Sequence, residues 1–377
     1  VIDNRPRGVK EGAIQLPQGW HDLALRYTDE AQYSRIYLYW TPPGGVRDVV
    51  PSRYLLPPMG QYPSVAEMTE LLSVPVTRAP LQPTSPSSNQ PASIVIARPA
   101  APVTLAHLQT IGTRGSGPAQ FNDPHGIAVS SNGRVYVADT GNRRVQALDD
   151  DGNFITSLES SDNEKFVEPF AVVVASNDDV FVLDSDVGWI YRFDANGKAL
   201  GRFAGPATQF YKPRGMTIDT EDNLYVADTG GARIVKLSLN GERLRVFGTR
   251  GNGRGQFLEP SHVAVDAEGF VFATDVPNKR INVFHPDGRF IADFPLPLAN
   301  AFNGPHIAFT SDQALLITAP EAHKIQHYTR DGKLLNEWGN LGDEAGQFRL
   351  PTDLAVLDDI LWVVDTANQR IQKWAIK

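Results

Sequence analysis

Eight side chains stand where this sequence could do chemistry. Prolines recur at Pro124, Pro169, Pro213, Pro260, Pro305 and Pro351, and the residue after each is His125, Phe170, Arg214, Ser261, His306 and Thr352. His262 and Asp353 stand one step further along. Imidazoles repeated at one position could hold zinc, which in a catalytic site takes three protein ligands and keeps one position open. Only His125 and His306 share the post-proline position, and Arg214 in the same set would oppose a bound cation. His262 is displaced by one residue, which in a regular strand turns a side chain to the opposite face. The expectation is histidines that hydrogen-bond locally, with zinc at His125 and His306 as the alternative.

Other residues invite chemical readings that weaken on inspection. Asp139, Asp184, Asp228, Asp275 and Asp365 could form a ring of acids, but each precedes a turn and is expected to accept hydrogen bonds from turn amides. Arg144, Arg233, Arg280 and Arg370 recur a few residues later and read as partners between repeats. Asp149-Asp150-Asp151 suggests a calcium loop, yet its counterparts, Asp194 to Gly197 and Pro286 to Gly288, are ordinary hairpin turns. Neither a Ser-His-Asp set nor a phosphate loop nor a nucleotide fingerprint occurs. Trp20, Tyr37, Tyr39 and Trp40 could stack against a sugar or a partner, although packing among themselves and with Tyr27 is the plainer expectation.

The elements that position these residues follow from a repeat. Val135-Tyr-Val-Ala-Asp139-Thr-Gly-Asn-Arg-Arg144-Val145 returns with drift five times, ending at Leu361-Trp-Val-Val-Asp365-Thr-Ala-Asn-Gln-Arg370-Ile371. The prolines are spaced by 45, 44, 47, 45 and 46 residues. Each unit reads as four short strands: an apolar run after the proline, an alternating Val/Tyr-rich strand ending in Asp, and two more separated by Gly- and Asp-containing turns. A fixed period of this length made of strands implies an all-β propeller with six blades, its channel mouth lined by the post-proline residues. The sixth unit ends at Lys377 without an outer strand, and a spare strand precedes the first unit, so residues 106–112 are expected to close the ring. Closure removes strand edges that would otherwise recruit other chains.

The phrase Pro-x-Gly-hydrophobic-Ala-Val, then Tyr-Val-Ala-Asp-Thr-x-Asn-x-Arg, resembles the NHL repeat over residues 106–377. Blade five departs most, with Ala319-Pro-Glu321 in place of Asp-Thr, and blade two, Asp184-Ser-Asp-Val-Gly-Trp189, loses Asn and Arg. The NHL-like amidating lyase, which this propeller resembles, holds channel zinc with three histidines, two of them following a proline as His125 and His306 do. Leu16-Pro-Gln-Gly-Trp20 to Tyr27, Ile36-Tyr-Leu-Tyr-Trp40-Thr-Pro-Pro-Gly-Gly45 and Val50-Pro-Ser-Arg-Tyr-Leu-Leu56 resemble the C-terminal half of a PA14 β-domain, residues 1–57. The other half, with the paired aspartates that bind calcium in sugar-binding members, is not in this chain. The expectation is a chain cut from a longer precursor or completed by another polypeptide. Residues 58–105 read as a short capped helix, Val65 to about Ser73, followed by a Pro/Ser-rich linker.

Composition narrows the class. The chain has no Cys, which removes disulfides and thiol chemistry, and a net charge of −8. That charge falls on residues 106–377, with 26 basic against 35 acidic side chains, so nucleic acid is not an expected partner. No apolar run is long enough to span a membrane, so membrane association would come through a partner. Together these readings give a non-catalytic, extracytoplasmic binding or scaffold protein of the cell surface or periplasm. Its propeller face would dock a protein or glycan, and no cofactor is required. The alternative is a metal-dependent lyase or hydrolase working in the channel, with zinc or calcium.

Overall fold

The computed structural model describes residues 103–161, 164–205, 210–296 and 304–377, with the backbone of four strands between residues 10 and 49. The chain divides into two units, Val1–Pro91 and Ala92–Lys377.

In the first unit Lys10–Ile14, Leu23–Glu30, Tyr33–Trp40 and Asp48–Val49 form an antiparallel meander in sequence order. The central pair runs from Leu23↔Trp40 to Glu30↔Tyr33. Pairing thus extends past Tyr27, where the apolar alternation stops, because a strand is carried on by its partner's hydrogen bonds rather than by its own polarity. Tyr37, Tyr39 and Trp40 lie on one strand, opposite Arg26, Ala24 and Leu23. Trp20, the turn at 17–19, the helix at 65–73 and most of the linker lie outside the described residues.

The second unit is a six-bladed propeller, each blade a four-stranded antiparallel sheet. Blade one, Pro124–Val129, Val135–Asp139, Arg144–Leu148 and Phe154–Leu158, sets the pattern. Its second strand, Val-Tyr-Val-Ala-Asp, is buried throughout, as are the second strands of blades two to five, and in blade six all but Ile360 is buried. Both faces of that strand meet a neighbouring blade, which is why it tolerates little polarity. The core is therefore a set of layers between blades, not one centre. Ala128, Tyr136 and Val145 of blade one pack with Val172, Val182 and Tyr191 of blade two, and the same happens around the ring. Outer strands are far more exposed, as in Arg243–Phe247, where only Phe247 is buried.

Blade six takes three strands from the C-terminus, Pro351–Leu357, Ile360–Asp365 and Arg370–Ile376, and its outer strand, Leu105–Ile111, from the other end of the unit. The pairing runs from Ile371↔Ile111 to Ile376↔Leu105, and Thr104 and Lys377 exchange backbone hydrogen bonds of 2.8 and 2.9 Å beyond it. Among the described residues no helix is long and apolar enough to cross a membrane.

Candidate functional site

The first strands line the channel, and a bulge governs where their side chains point. In blades one, two, four and six the ladder slips by one residue just after the proline, so that Pro260 faces Asp275 while His262 faces Thr274. An extra residue in one strand cancels one step of alternation. This corrects the expectation for His262. Its ring does not turn away from the post-proline set but lies against His306, with centroids 3.8 Å apart. Asp353, also one step late, reaches the same place, and its Oδ1 is 2.6 Å from His306 Nδ1.

The structure brings the eight residues into separate small groups. His262, His306 and Asp353 join blades four, five and six, all three buried. Asp353 Oδ2 also accepts the Ile127 amide of blade one at 2.8 Å. Burial, and then the neighbouring His306, holds His262 well below the usual imidazole range, so it is neutral. His125 stacks on Phe170 at 4.4 Å, and its Nε2 lies 3.4 Å from Asp123, whose carboxyl the His125 hydrogen bond holds below the ordinary value. Ser261 Oγ pairs with Thr274 Oγ1 at 2.8 Å, and Thr352 Oγ1 with Thr366 Oγ1 at 2.6 Å and His125 O at 3.2 Å. Arg214 is half-buried and in electrostatic reach of Glu168. Among the described residues no three His, Asp or Glu are arranged to hold a metal ion.

These groups replace a stitch found elsewhere in the ring. The hydroxyl that follows the second-strand acid donates to the proline carbonyl of the next blade: Thr140 to Pro169, Ser185 to Pro213, Thr229 to Pro260 and Thr366 to Pro124, each at 2.7 Å. Blades four and five have Val276 and Pro320 there and cannot make it. Those two junctions are the ones where His262 meets His306 and His306 meets Asp353. First strands also approach closely. A Cβ at Gly126 would come within 2.6 Å of Phe170 O, and one at Gly215 within 2.5 Å of Ser261 O.

The recurring acids are hubs, with a correction to their expected partners. Asp139 accepts the amide of Asn122 at 2.7 Å, from the segment entering the blade rather than from its own turn, along with Asn142, Arg144 and Gln146 side chains. Arg144 in turn donates to Gly117 O and Gln120 O of that entering segment, as Arg370 does to Glu344 O and Gln347 O. The arginines thus tie their own blade's acid to the incoming connection. Arg280 also donates to Gly253 O and Gln256 O of its entering segment, but the acid it pairs with is Asp293, at 3.3 Å. Asp149 caps its own hairpin, accepting Asn153 N at 2.7 Å, and Asp150 pairs with Lys373 of blade six, also at 2.7 Å.

Reasoning from the sequence missed the residues just before the prolines. Asp123, Glu168 and Lys212 stand at the mouth, in electrostatic reach of His125 and Arg214. A charged residue before four of the six prolines, Glu259 being the fourth, was the available signal. A separate polar cleft of about 270 Å³, lined by Ser116, Asn142, Arg143, Arg144, Glu159 and Lys165, contains none of the eight.

Fold and site together define a six-bladed β-propeller whose channel mouth is laced by hydroxyls, imidazoles and a carboxylate. Its repeat is identified at residues 121–148, which match the NHL repeat. NHL repeat-containing protein 3 of Mus musculus is 29% identical over 222 residues, 51% of this chain and 60% of that protein. Protein brain tumor of Drosophila melanogaster is 27% identical over 133 residues, 34% of this chain and 13% of that protein. The chain therefore spans only part of the length of these relatives. A solved structure of virginiamycin B lyase from Staphylococcus aureus superposes with a TM-score of 0.53 at 16% identity, covering 73% of this chain and 99% of the lyase. At that identity the likeness is one of fold.

Proposed function

We propose that this chain is a non-catalytic binding scaffold whose propeller mouth docks a protein partner. One observation carries the reading: Thr352, Asp353 and His306 contact neighbouring blades and Ser261 bonds within its own, while among the described residues the buried Nδ1 atoms of His125 and His262 make no hydrogen bond. An NHL propeller suits such a role, since its rigid ring presents loops from six blades on one face. Affinity capture with the full chain, followed by cross-link mapping, tests it. Cross-links from one partner to residues around Glu168, Arg214 and Asp353 are expected, and a partner attached only to the outer strands would sink the reading.

The resemblance of residues 1–57 extends the proposal. The chain would act extracytoplasmically, as a subunit of a cell-surface assembly, with a protein partner for the PA14-like residues and a glycan as a further ligand. Mass spectrometry of native material should find a co-purifying protein partner, and a glycan array should show retention that Trp40→Ala removes. Intracellular fractionation, or a blank array, would count against each part.

A second reading, an enzyme in the channel, is favoured by the convergence of His262, His306 and Asp353. Elemental analysis separates the two: stoichiometric zinc that His262→Ala with His306→Ala abolishes supports the enzyme, and metal content independent of both supports the scaffold.

A further inference from the structure

Three exposed apolar side chains stand together on the mouth face at blades two and three. Val167, Val187 and Tyr211 are 43%, 36% and 66% exposed. Their three segments are stitched side by side. Ser185 donates its amide to Glu168 O at 2.9 Å and its hydroxyl to Pro213 O at 2.7 Å, and Lys212 Nζ meets Asp186 Oδ1 at 2.7 Å. Buried acids hold them from beneath, Asp184 accepting the Val167 amide and Asp228 the Tyr211 amide, both at 2.7 Å. The Tyr211 ring lies over Gly230, where any Cβ would collide with it. A large aromatic side chain left mostly in water on a backbone this firmly fixed loses little freedom on binding, which is the property of an interface anchor.

The charge beside it is equally specific. The half-buried Glu168 carboxylate accepts no hydrogen bond among the described residues, although Glu168's own amide and carbonyl are both used. Burial pushes its pKa up, and nearby Asp186 adds to this, while Arg214 and Lys212 oppose it. Lys212 is already engaged by Asp186. Arg214 acts on the carboxylate electrostatically, so what a partner's cation would add is a hydrogen bond, and the chain's net charge of −8 favours a basic partner's approach.

Resting on the protein-docking reading above, we infer that this rim binds a polypeptide segment carrying a Lys or Arg close to a large apolar residue. The apolar side chain seats against Val167, Val187 and Tyr211, and the cation hydrogen-bonds to Glu168. A phage-displayed random-peptide library selected on the full chain tests this, with Glu168→Gln, Tyr211→Ser and Thr352→Val as parallel baits and circular dichroism confirming that each is folded. The expected outcome is enrichment of peptides pairing Arg or Lys with Leu, Ile or Phe. Their affinity should fall at least about tenfold for E168Q, the scale of a charge-assisted hydrogen bond, and fall again for Y211S. Enrichment without basic residues, or binding insensitive to E168Q and Y211S, overturns the inference. If those peptides are instead lost with T352V, the docking reading survives without it. No enrichment on any bait, or retention only of an oligonucleotide added as competitor, overturns both.

Discussion

Asp365 shows how much one side chain carries. It is fully buried and accepts the Arg349 amide at 2.6 Å, Arg370 Nε at 2.7 Å, Asn368 Nδ2 at 2.8 Å and Gln372 Nε2 at 3.1 Å. Asp365→Ala strands a buried guanidinium and should cost about 3–5 kcal/mol, the range for breaking a buried ion pair. Urea unfolding measures it, and a loss below about 1 kcal/mol, typical of a surface pair, would refute the hub role. His262 predicts a pH dependence. Its folded pKa is lowered by burial and by His306, whereas the unfolded chain takes up the proton near about 6.5. Stability should therefore be level above that pH and fall as acid drives the pH from there toward the lowered folded value. His107 and His327, both lowered chiefly by burial, act in the same direction. Midpoints of urea unfolding at a series of pH values should fall less steeply in His262→Asn, and an unchanged slope would show the charge is relieved elsewhere.

At the scale of the element, the first strand is the piece most constrained by its neighbours. Gly126 faces the backbone of the next blade, with Phe170 O at 2.6 Å and Ala171 Cα at 2.9 Å from where a Cβ would stand. Backbone cannot swing aside as a side chain can, so Gly126→Ala should cost about 1–3 kcal/mol through strand displacement. Thermal melting checks this, and an unchanged melting temperature would mean that the first strands slide freely. The bulge beside it was invisible to a reading that assumed strict alternation. His125 and His306 could be matched by counting from the proline, but His262 and Asp353 could not, because one extra residue resets the phase. The stitch from Thr140 to Pro169 was likewise hidden: the motif's Thr was in plain view, but its acceptor lies 29 residues further on.

For the whole molecule, the decisive feature is that blade six is built from both ends of the propeller unit. Leu105–Ile111 supplies the edge that Arg370–Ile376 lacks, and Trp374 and Ile376 pack with Leu105 in its core. Removing residues 1–112 should leave an open ring with an unpaired strand and abolish soluble expression, whereas removing residues 1–100 should not. Size-exclusion chromatography distinguishes these outcomes. A monomeric, cooperatively folded 113–377 fragment would show that closure is dispensable.

The repeat length, the four-strand grammar and the missing last strand were legible in the amino-acid order, because alternation and turn chemistry act within a few residues and a fixed period repeats them six times. The eight residues at and just after the post-proline position were legible as positions in the repeat. Which of them meet was not legible. That His262 lies on His306 and Asp353 completes the junction, while His125 stacks on Phe170 with Asp123 beside it, depends on bulges and on the approach of strands about 45 residues apart. The rim of Val167, Val187 and Tyr211 has the same origin. Each residue is unremarked in its own segment, and only the packing of blade three against blade two sets the three segments side by side.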